Sequence, residues 1–302
     1  MKRVSVILAT YNGEDTIEAT IRSMLNQDGM NEQFELELIV VDDCSTDRTT
    51  DIIKQFNLQV FSTLQNSGGP NKGRNIGLKH ATGDYICIAD QDDIWARHKV
   101  ISMLPYFDQA PIVTSGYKVV DLSEGKEVVR INQNDEGFTY FGKNKTFISR
   151  LLRLSSGQNT YLGSIMFEAS LKNILFEEIF GAVDYDWVLK LFHQRDSIEV
   201  SDVLYLRKVN GKNLSLNESY RKKDFYFSLM FIEEYRDLYP EEVKTASLKI
   251  FGTRARYYYL MDNMKLARFY FLRSQLNAKT LLYYLTSFAG SNLIKRNFNV
   301  FG

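Results

Sequence analysis

Between residues 4 and 90 the chain alternates four short apolar runs with three stretches of helical period, and this most restricts what it can fold into. The runs are "VSVILAT" (4–10), "LELIVVD" (36–42), "QVFSTL" (59–64) and "DYICIAD" (84–90). The first, second and fourth are apolar at successive positions, as in a strand covered on both faces. Between them, Ile17, Ile21, Met24 and Leu25 recur at helical spacing. "CSTDRTTDIIKQF" offers Ser45 or Thr46 as a helix cap, and "RNIGLKHA" follows the glycine-rich "NSGGPNKG". Strand and helix in strict alternation mean βαβ crossovers, hence an α/β domain with a mostly parallel sheet flanked by helices. Ligands of such sheets collect beyond the carboxyl ends of the strands. The polar stretches Thr10-Tyr11-Asn12, Asp42-Asp43 and Asp90-Gln91-Asp92-Asp93 lie there.

Residues 111 to 210 are less regular, with strands expected in "PIVTSGYKVV", "YLGSIMF" and "SDVLYLRKV" and a helix in "YDWVLKLFHQ". From about residue 218 the pattern becomes helical and strongly aromatic. We place a boundary near residue 215, dividing 1–215 from a helical extension, 216–302. Lys+Arg and Asp+Glu are equal at 37 each, which gives no general case for nucleic acid. The distribution is uneven. Nine basic residues and one acid, Asp262, lie between Lys249 and Gly302, so that segment carries +8 and the remainder −8. Cys44 and Cys87 are isolated, which fits a reducing cytoplasm. "MKRVSVILATYNGE" reads as a core strand in place of a signal peptide, and no uncharged apolar stretch is long enough to span a bilayer.

Singly, the polar blocks are modest signals. "VDDCSTD" also suits a helix cap with spare acids. "SGGPNKGRN" suits either left-handed turns or an anion at a helix start. The Walker Gly-Lys-Ser/Thr is absent, and no G-x-G-x-x-G follows the first strand. Three neighbouring carboxylates in "DQDD" repel one another and need compensation by solvent or a cation.

Taken in order, "VSVILATYNGE", "ELIVVDDCSTDRTTDII", "NSGGPNKGRNIGL" and "ATGDYICIADQDDIW" are more specific. The chain resembles glycosyltransferase family 2, nucleotide-sugar-dependent enzymes with the GT-A fold, closely over the first hundred residues and more loosely over the next hundred. The resemblance implies that Thr10, Tyr11 and Asn12, with Glu14 nearby, hold the nucleobase and ribose. It implies Asp43, with Asp42 second, as acceptor for the imide N–H of uracil or thymine, and Arg74 as a cation facing the diphosphate. Asp90-Gln91-Asp92 matches the family's D-x-D element, reaching ribose and a divalent cation. Mg²⁺ or Mn²⁺ suits such hard oxygen ligands, with Asp92 as first ligand and Asp90 and Asp93 in support.

An inverting transferase also needs a base for the acceptor hydroxyl. The family's Glu-Asp pair is missing here. "AVDYDWVLKLF" is similar instead to the His-Asp-Trp form of rhamnosyltransferase-like members. Asp186 is the expected base and Asp184 the second candidate, while helix-start acids favoured by the dipole are the plainer reading. Trp187 fits either an acceptor sugar or the core. "YLRKVNGKNLS" is similar to the family's closing strand and loop, where Arg207 or Lys208 meets phosphate or simply solvent. His80, His98 and His193 share no metal-ligand spacing.

In the tail, Tyr257, Leu260, Met264, Ala267 and Phe271 make one helical stripe flanked by Arg254, Lys265 and Arg268. Peripheral attachment to an anionic inner-membrane surface and homo-oligomerisation account for it equally. The expected function is an inverting, metal-dependent transfer from a UDP- or dTDP-sugar to a glycan or lipid-linked acceptor in bacterial surface-polysaccharide synthesis, with a weak inclination to rhamnose. A nucleotidyltransferase and an inactive sugar-nucleotide-binding scaffold are the rivals. The former normally shows a basic glycine-rich loop after the first strand, which "TYNGED" lacks.

Overall fold

A computed structural model describes residues 1–121, 125–178, 184–209 and 218–292. The alternation appears as β1 (Lys2–Thr10), α1 (Ile17–Leu25), β2 (Phe34–Asp42), α2 (Thr49–Ile53), β3 (Gln59–Ser62), α3 (Asn71–His80) and β4 (Tyr85–Asp90). β1 is the hub. It pairs in parallel with β2 from Lys2↔Phe34 to Thr10↔Asp42, and with β4 from Val4↔Tyr85 to Ala9↔Asp90. Val4, Val6 and Leu8 point to one face and meet Ile17, Ile21 and Met24 of α1 in the core.

Ile7 points to the other face, under α3. A Cβ on Gly77 would overlap the Ile7 side chain, and one on Gly73 would lie 3.1 Å from Ala9 Cβ. Two glycines of the glycine-rich block therefore let helix and sheet approach closely, and only Gly68 takes a left-handed φ of +79°. Neither Ser45 nor Thr46 caps α2. The Ser45 hydroxyl is engaged by Asp42, and Asp47 Oδ1 accepts the Thr49 N–H at 3.0 Å.

The chain continues through β5 (Asp93–Trp95), α4 (Lys99–Met103), β6 (Ile112–Asp121), β7 (Lys126–Arg130), β8 (Phe138–Phe141), α5 (Lys145–Leu151), β9 (Met166–Glu168), α6 (Tyr185–Phe192) and β10 (Ser197–Val209). The sheet order is β3-β2-β1-β4-β9-β6-β10-β5, with β7 on β6 and β8 on β10. The first four strands are parallel, as the alternation requires. Beyond β4 the sheet is mixed: β9 is antiparallel to β4 and β6, and β5 to β10. The βαβ pattern ends at β4, so nothing in the sequence enforces parallel pairing beyond it. "YLGSIMF" is a 3₁₀ turn, Leu162–Ser164, followed by the short β9.

The chain divides into two compact units. One comprises Met1–Phe147 and Ser156–Asn217, the other Ile148–Ser155 and Glu218–Gly302. The second unit holds α7 (Glu218–Glu233), α8 (Pro240–Leu260), α9 (Met264–Phe271) and α10 (Ala278–Thr286). Residues 148–155 join it through Lys249 Nζ to Leu152 O at 2.8 Å and Arg153 Nη2 to Ser228 Oγ at 2.5 Å. The tail stripe expected to be one helix is broken between α8 and α9. Asp262 turns with φ +57°, and the Asn263 side chain caps α9 by accepting the Leu266 N–H. The core of this unit is Ala255, Tyr259, Ala267, Phe271 and Tyr283. Arg254 is buried with its guanidinium 4.6 Å from the Tyr258 ring centre and 5.2 Å from that of Phe225. No helix among the described residues is long and apolar enough to cross a membrane.

Candidate active site

The site lies in the first unit, where β1, β2 and β4 end at one level: Thr10 beside Asp42, and Ala9 beside Asp90. Hydrogen bonds from side chains that sequence reasoning took for ligands bind the three strand-end loops together. Gln91 accepts from Thr10 Oγ1 at 2.7 Å and from Tyr11 N at 2.8 Å, and donates to Tyr11 O at 3.1 Å. Asn12 Oδ1 accepts the Thr46 N–H, and Glu14 Oε2 accepts the Arg48 N–H. Thr10, Asn12, Glu14 and Gln91 therefore act on the scaffold, and Tyr11, with its ring exposed, is the member of this group open to a nucleobase.

Asp42 and Asp43 are both buried. Asp42 accepts the Ser45 N–H and hydroxyl. Asp43 accepts Thr63 Oγ1 at 2.7 Å, Ser67 Oγ at 2.9 Å, and the Ser67 N–H on both oxygens. Arg74 is 4% exposed, so it does not stand open toward a diphosphate. Its Nη2 donates to Asp90 Oδ1 at 2.6 Å and its Nη1 to Asn71 Oδ1 at 3.0 Å. It aims Asp90, whose side chain keeps 42% of its surface exposed.

The acidic tripeptide divides. Asp93 is 1% exposed and turned inward: Oδ2 accepts the Asp90 N–H at 3.0 Å and Oδ1 the Tyr205 hydroxyl at 2.7 Å. Burial, with the Asp90 charge adding, pushes its carboxyl well above the usual range. With both oxygens engaged behind the loop, Asp93 leaves the candidate ligand set and becomes a strut under Asp90. Asp92 is half-buried. Burial raises its carboxyl and the Asp90 charge raises it further, while Arg207 and Lys208 pull it down. The strand end carrying those two cations thus faces Asp92.

A divalent cation of the Mg²⁺ type is commonly held by one or two carboxylates with substrate phosphates supplying other ligands. Asp90 and Asp92, whose charges oppose each other across one space, fit that requirement. No group of three His, Cys, Asp or Glu side chains suited to a metal gathers among the described residues.

Sequence reasoning missed Tyr161. Its hydroxyl accepts from Arg207, whose guanidinium lies 4.7 Å from the ring centre. Burial pushes the hydroxyl up to about 12; Arg207 opposes this, and Tyr117, Asp184 and Asp90 add to it. Asp184, Asp90 and Arg207 therefore share the surroundings of one ring. Asp184 is exposed at the start of α6 and makes no capping bond to the helix. Asp186, the first candidate for the base, is fully buried. One oxygen accepts Lys190 Nζ at 2.8 Å, and the other has no hydrogen-bond partner among the described residues. Burial raises its carboxyl against the pull of Lys190. Trp187 is core, stacked on Phe176 at 4.6 Å. His193 packs on Phe147, and His98 pairs with Asp202 at 2.9 Å. The loop beyond Val209, 210–217, lies outside the described residues, as does the boundary near 215.

Glu199 was also missed. It is buried in β10 and accepts the N–H and side-chain amide of both Asn132 and Asn159, which anchors the loop leading to Tyr161. Among runs of polar loop residues, no motif marks either Tyr161 or Glu199.

A mixed sheet whose parallel strands end in carboxylates beside cations defines an α/β protein with its candidate site at the strand ends, and comparison sharpens the class. Residues 5–174, more than half of the chain, match the family described as Glycosyl transferase family 2, and the chain belongs to that family. It is 29% identical over 237 residues to poly(ribitol-phosphate) beta-N-acetylglucosaminyltransferase TarS of Staphylococcus aureus, covering 76% of this chain and 39% of that protein. It is 37% identical over 117 residues to the Escherichia coli UDP-Glc:alpha-D-GlcNAc-diphosphoundecaprenol beta-1,3-glucosyltransferase WfaP, covering 38% of this chain and 45% of that protein. The matched region spans under half the length of each relative. The crystal structure of S. aureus TarS 1–349 in complex with UDP-GlcNAc superposes with a TM-score of 0.67 at 20% identity, covering 98% of this chain and 92% of that one. The architecture is the GT-A fold with carboxy-terminal helices.

Proposed function

We propose that the chain is an inverting glycosyltransferase that moves a sugar from a UDP- or dTDP-linked donor to a glycan or lipid-linked acceptor in bacterial surface-polysaccharide synthesis. We place it at the cytoplasmic face of the inner membrane. One observation carries the reading. Asp90, aimed by Arg74, and Asp92, opposed by Arg207 and Lys208, gather where β4 ends, in a family whose relatives are named for sugar transfer. Tyr11 is open to stack on the base, and the Asp43 carboxylate, held by Ser67 and Thr63, faces the same strand-end region. Arg207 and Lys208 hold the diphosphate, with Tyr161 fixing the guanidinium. Asp90 and Asp92 are the residues that would hold Mg²⁺ or Mn²⁺, which supplies Lewis-acid neutralisation of the leaving diphosphate.

The acceptor hydroxyl must lose its proton on the face opposite the leaving group. Asp184 takes this role, because a base has to reach the hydroxyl and Asp184 is the exposed member of the pair. A second reading keeps Asp186 as base, favoured by its raised carboxyl and its buried oxygen without a partner. Asp184→Asn should cut transfer by about a hundredfold or more and leave donor binding intact. If Asp186→Asn alone does so, the roles exchange.

The donor is read from a thermal-shift panel of UDP-, dTDP- and GDP-sugars with and without Mn²⁺. A ligand at about a hundred times its Kd adds about 2.7 kcal/mol of stability. No shift with any UDP- or dTDP-sugar would remove the transferase reading.

A further inference from the structure

We propose that the outer faces of α9 and α10 form a docking surface for an anionic phospholipid bilayer. This deepens the membrane placement proposed above and does not depend on the transfer chemistry. α10 turns hydroxyl-bearing side chains inward and large apolar ones outward. Thr280, Tyr283 and Ser287 face inward and are buried, whereas Leu281, Leu285 and Phe288 recur at i, i+4, i+7 and are 52%, 59% and 66% exposed. A helix partnered only by its own unit turns a polar face to water. A second stripe at i, i+3, i+7 runs from α9 into the following turn: Phe269, Leu272 and Leu276, the last 78% exposed. The helices that carry the stripes adjoin, since Arg268 of α9 lies 4.7 Å from the Phe288 ring centre and donates to Ser287 O at 2.9 Å. Single exposed apolar side chains need no explanation, but two such stripes on adjoining helices mark an interaction surface.

Charge selects the partner. Between Asn263 and Asn292 the chain carries Lys265, Arg268, Arg273 and Lys279 and no acid. Arg273 lies 3.6 Å from the centre of the exposed Phe269 ring. Guanidinium and ammonium groups beside inserted apolar side chains match a layer of lipid phosphates above acyl chains. A second copy of the chain matches poorly. An isologous contact would set these four cations against the same four, with no carboxylate between them. Spanning is excluded for these helices, since α10 has nine residues.

The test is co-sedimentation of the full chain with vesicles of mixed phosphatidylcholine and phosphatidylglycerol, against phosphatidylcholine alone. Binding should require phosphatidylglycerol and weaken with salt. Leu281→Ser/Leu285→Ser/Phe288→Ser should lower the partition constant about tenfold or more. Being exposed, these positions should leave the Tm and the donor-induced thermal shift as in wild type. Lys265→Gln/Arg273→Gln should remove the preference for phosphatidylglycerol. The proposal fails if the full chain ignores phosphatidylglycerol vesicles or if the triple variant binds them as wild type does. It also fails if sedimentation equilibrium shows a dimer that the triple variant disperses. Vesicle binding without any donor shift would sink the transferase reading and leave this one standing.

Discussion

The two units handle buried charge in opposite ways. In the sheet unit the buried carboxylates of Asp43, Asp93 and Glu199 each accept two or more bonds from another loop or strand. In the helical unit the buried cation Arg254 sits among aromatic rings and donates to the Tyr258 hydroxyl at 2.8 Å. A carboxylate accepting several donors fixes the positions of the segments that supply them, whereas a guanidinium among rings serves mainly as packing. The sheet unit thus uses buried charge to hold loops around a site, and the helical unit uses it to fill a core.

Substitutions at either end should separate these uses. The largest effect belongs to a carboxylate that the sheet unit leaves half open, beside Asp90. On the proposed reading, Asp92→Asn should lower sugar transfer on the order of a thousandfold in a steady-state assay with Mn²⁺. Full activity in EDTA would count against the metal assignment. Glu199→Ala should cost about 3 kcal/mol in urea unfolding, because the amides of Asn132 and Asn159 lose their acceptor. A cost below about 1 kcal/mol would show that the loop holds without it.

Lys99 departs from this pattern in the sheet unit: a buried cation packed at 5.0 Å from the Trp95 ring centre, in the manner of the helical unit. Burial lowers its pKa to about 8 from 10.5, with Cys87 and Asp93 opposing. A depressed base binds its proton less well folded than unfolded. Its penalty is therefore full below about pH 8 and lifts as pH rises from there to 10.5. Lys99→Met should add about 2 kcal/mol at pH 7, with the gain closing over that window. A gain independent of pH would place the effect in packing alone. The smallest change is expected for Arg254→Met, about 1 kcal/mol of lost stability with donor binding untouched. A loss of several kcal/mol would mean that the rings need the charge as the loops do.

Much of the sheet unit was legible because apolar runs and helical periods leave few topologies, and strand ends are where ligands collect. The blocks containing Asp43 and Asp92 stand out for that reason, and the block containing Arg74 through its glycines at a helix start and its place in the family's order. Their division of labour was not legible. Whether a carboxylate in "DQDD" faces solvent or Tyr205 depends on β5 pairing with β10, more than a hundred residues away in the chain. Arg74 read as a phosphate-facing cation because sequence shows its charge and not its burial. Asp184 and Asp186 are two residues apart at a helix start, so one outward and one inward orientation follows from helix geometry, but which is which depends on the core beneath. Tyr161 and Glu199 carry no local signal at all. In the tail, aromatic periodicity spoke for one helix and hid the Asp262-Asn263 turn.

Gly77 gives the first unit a rule of substitution. Where its methyl would be, the Ile7 side chain already stands, so strand and helix are separated by a spacer of zero thickness. Arg74 lies one turn earlier on that helix, and its 2.6 Å reach to Asp90 depends on the same spacing. Adding a side chain at position 77 would lift α3 from the sheet and loosen that grip, and trimming Ile7 in the same molecule should restore it. Two apolar positions remote from any chemistry thus set how far an arginine can reach.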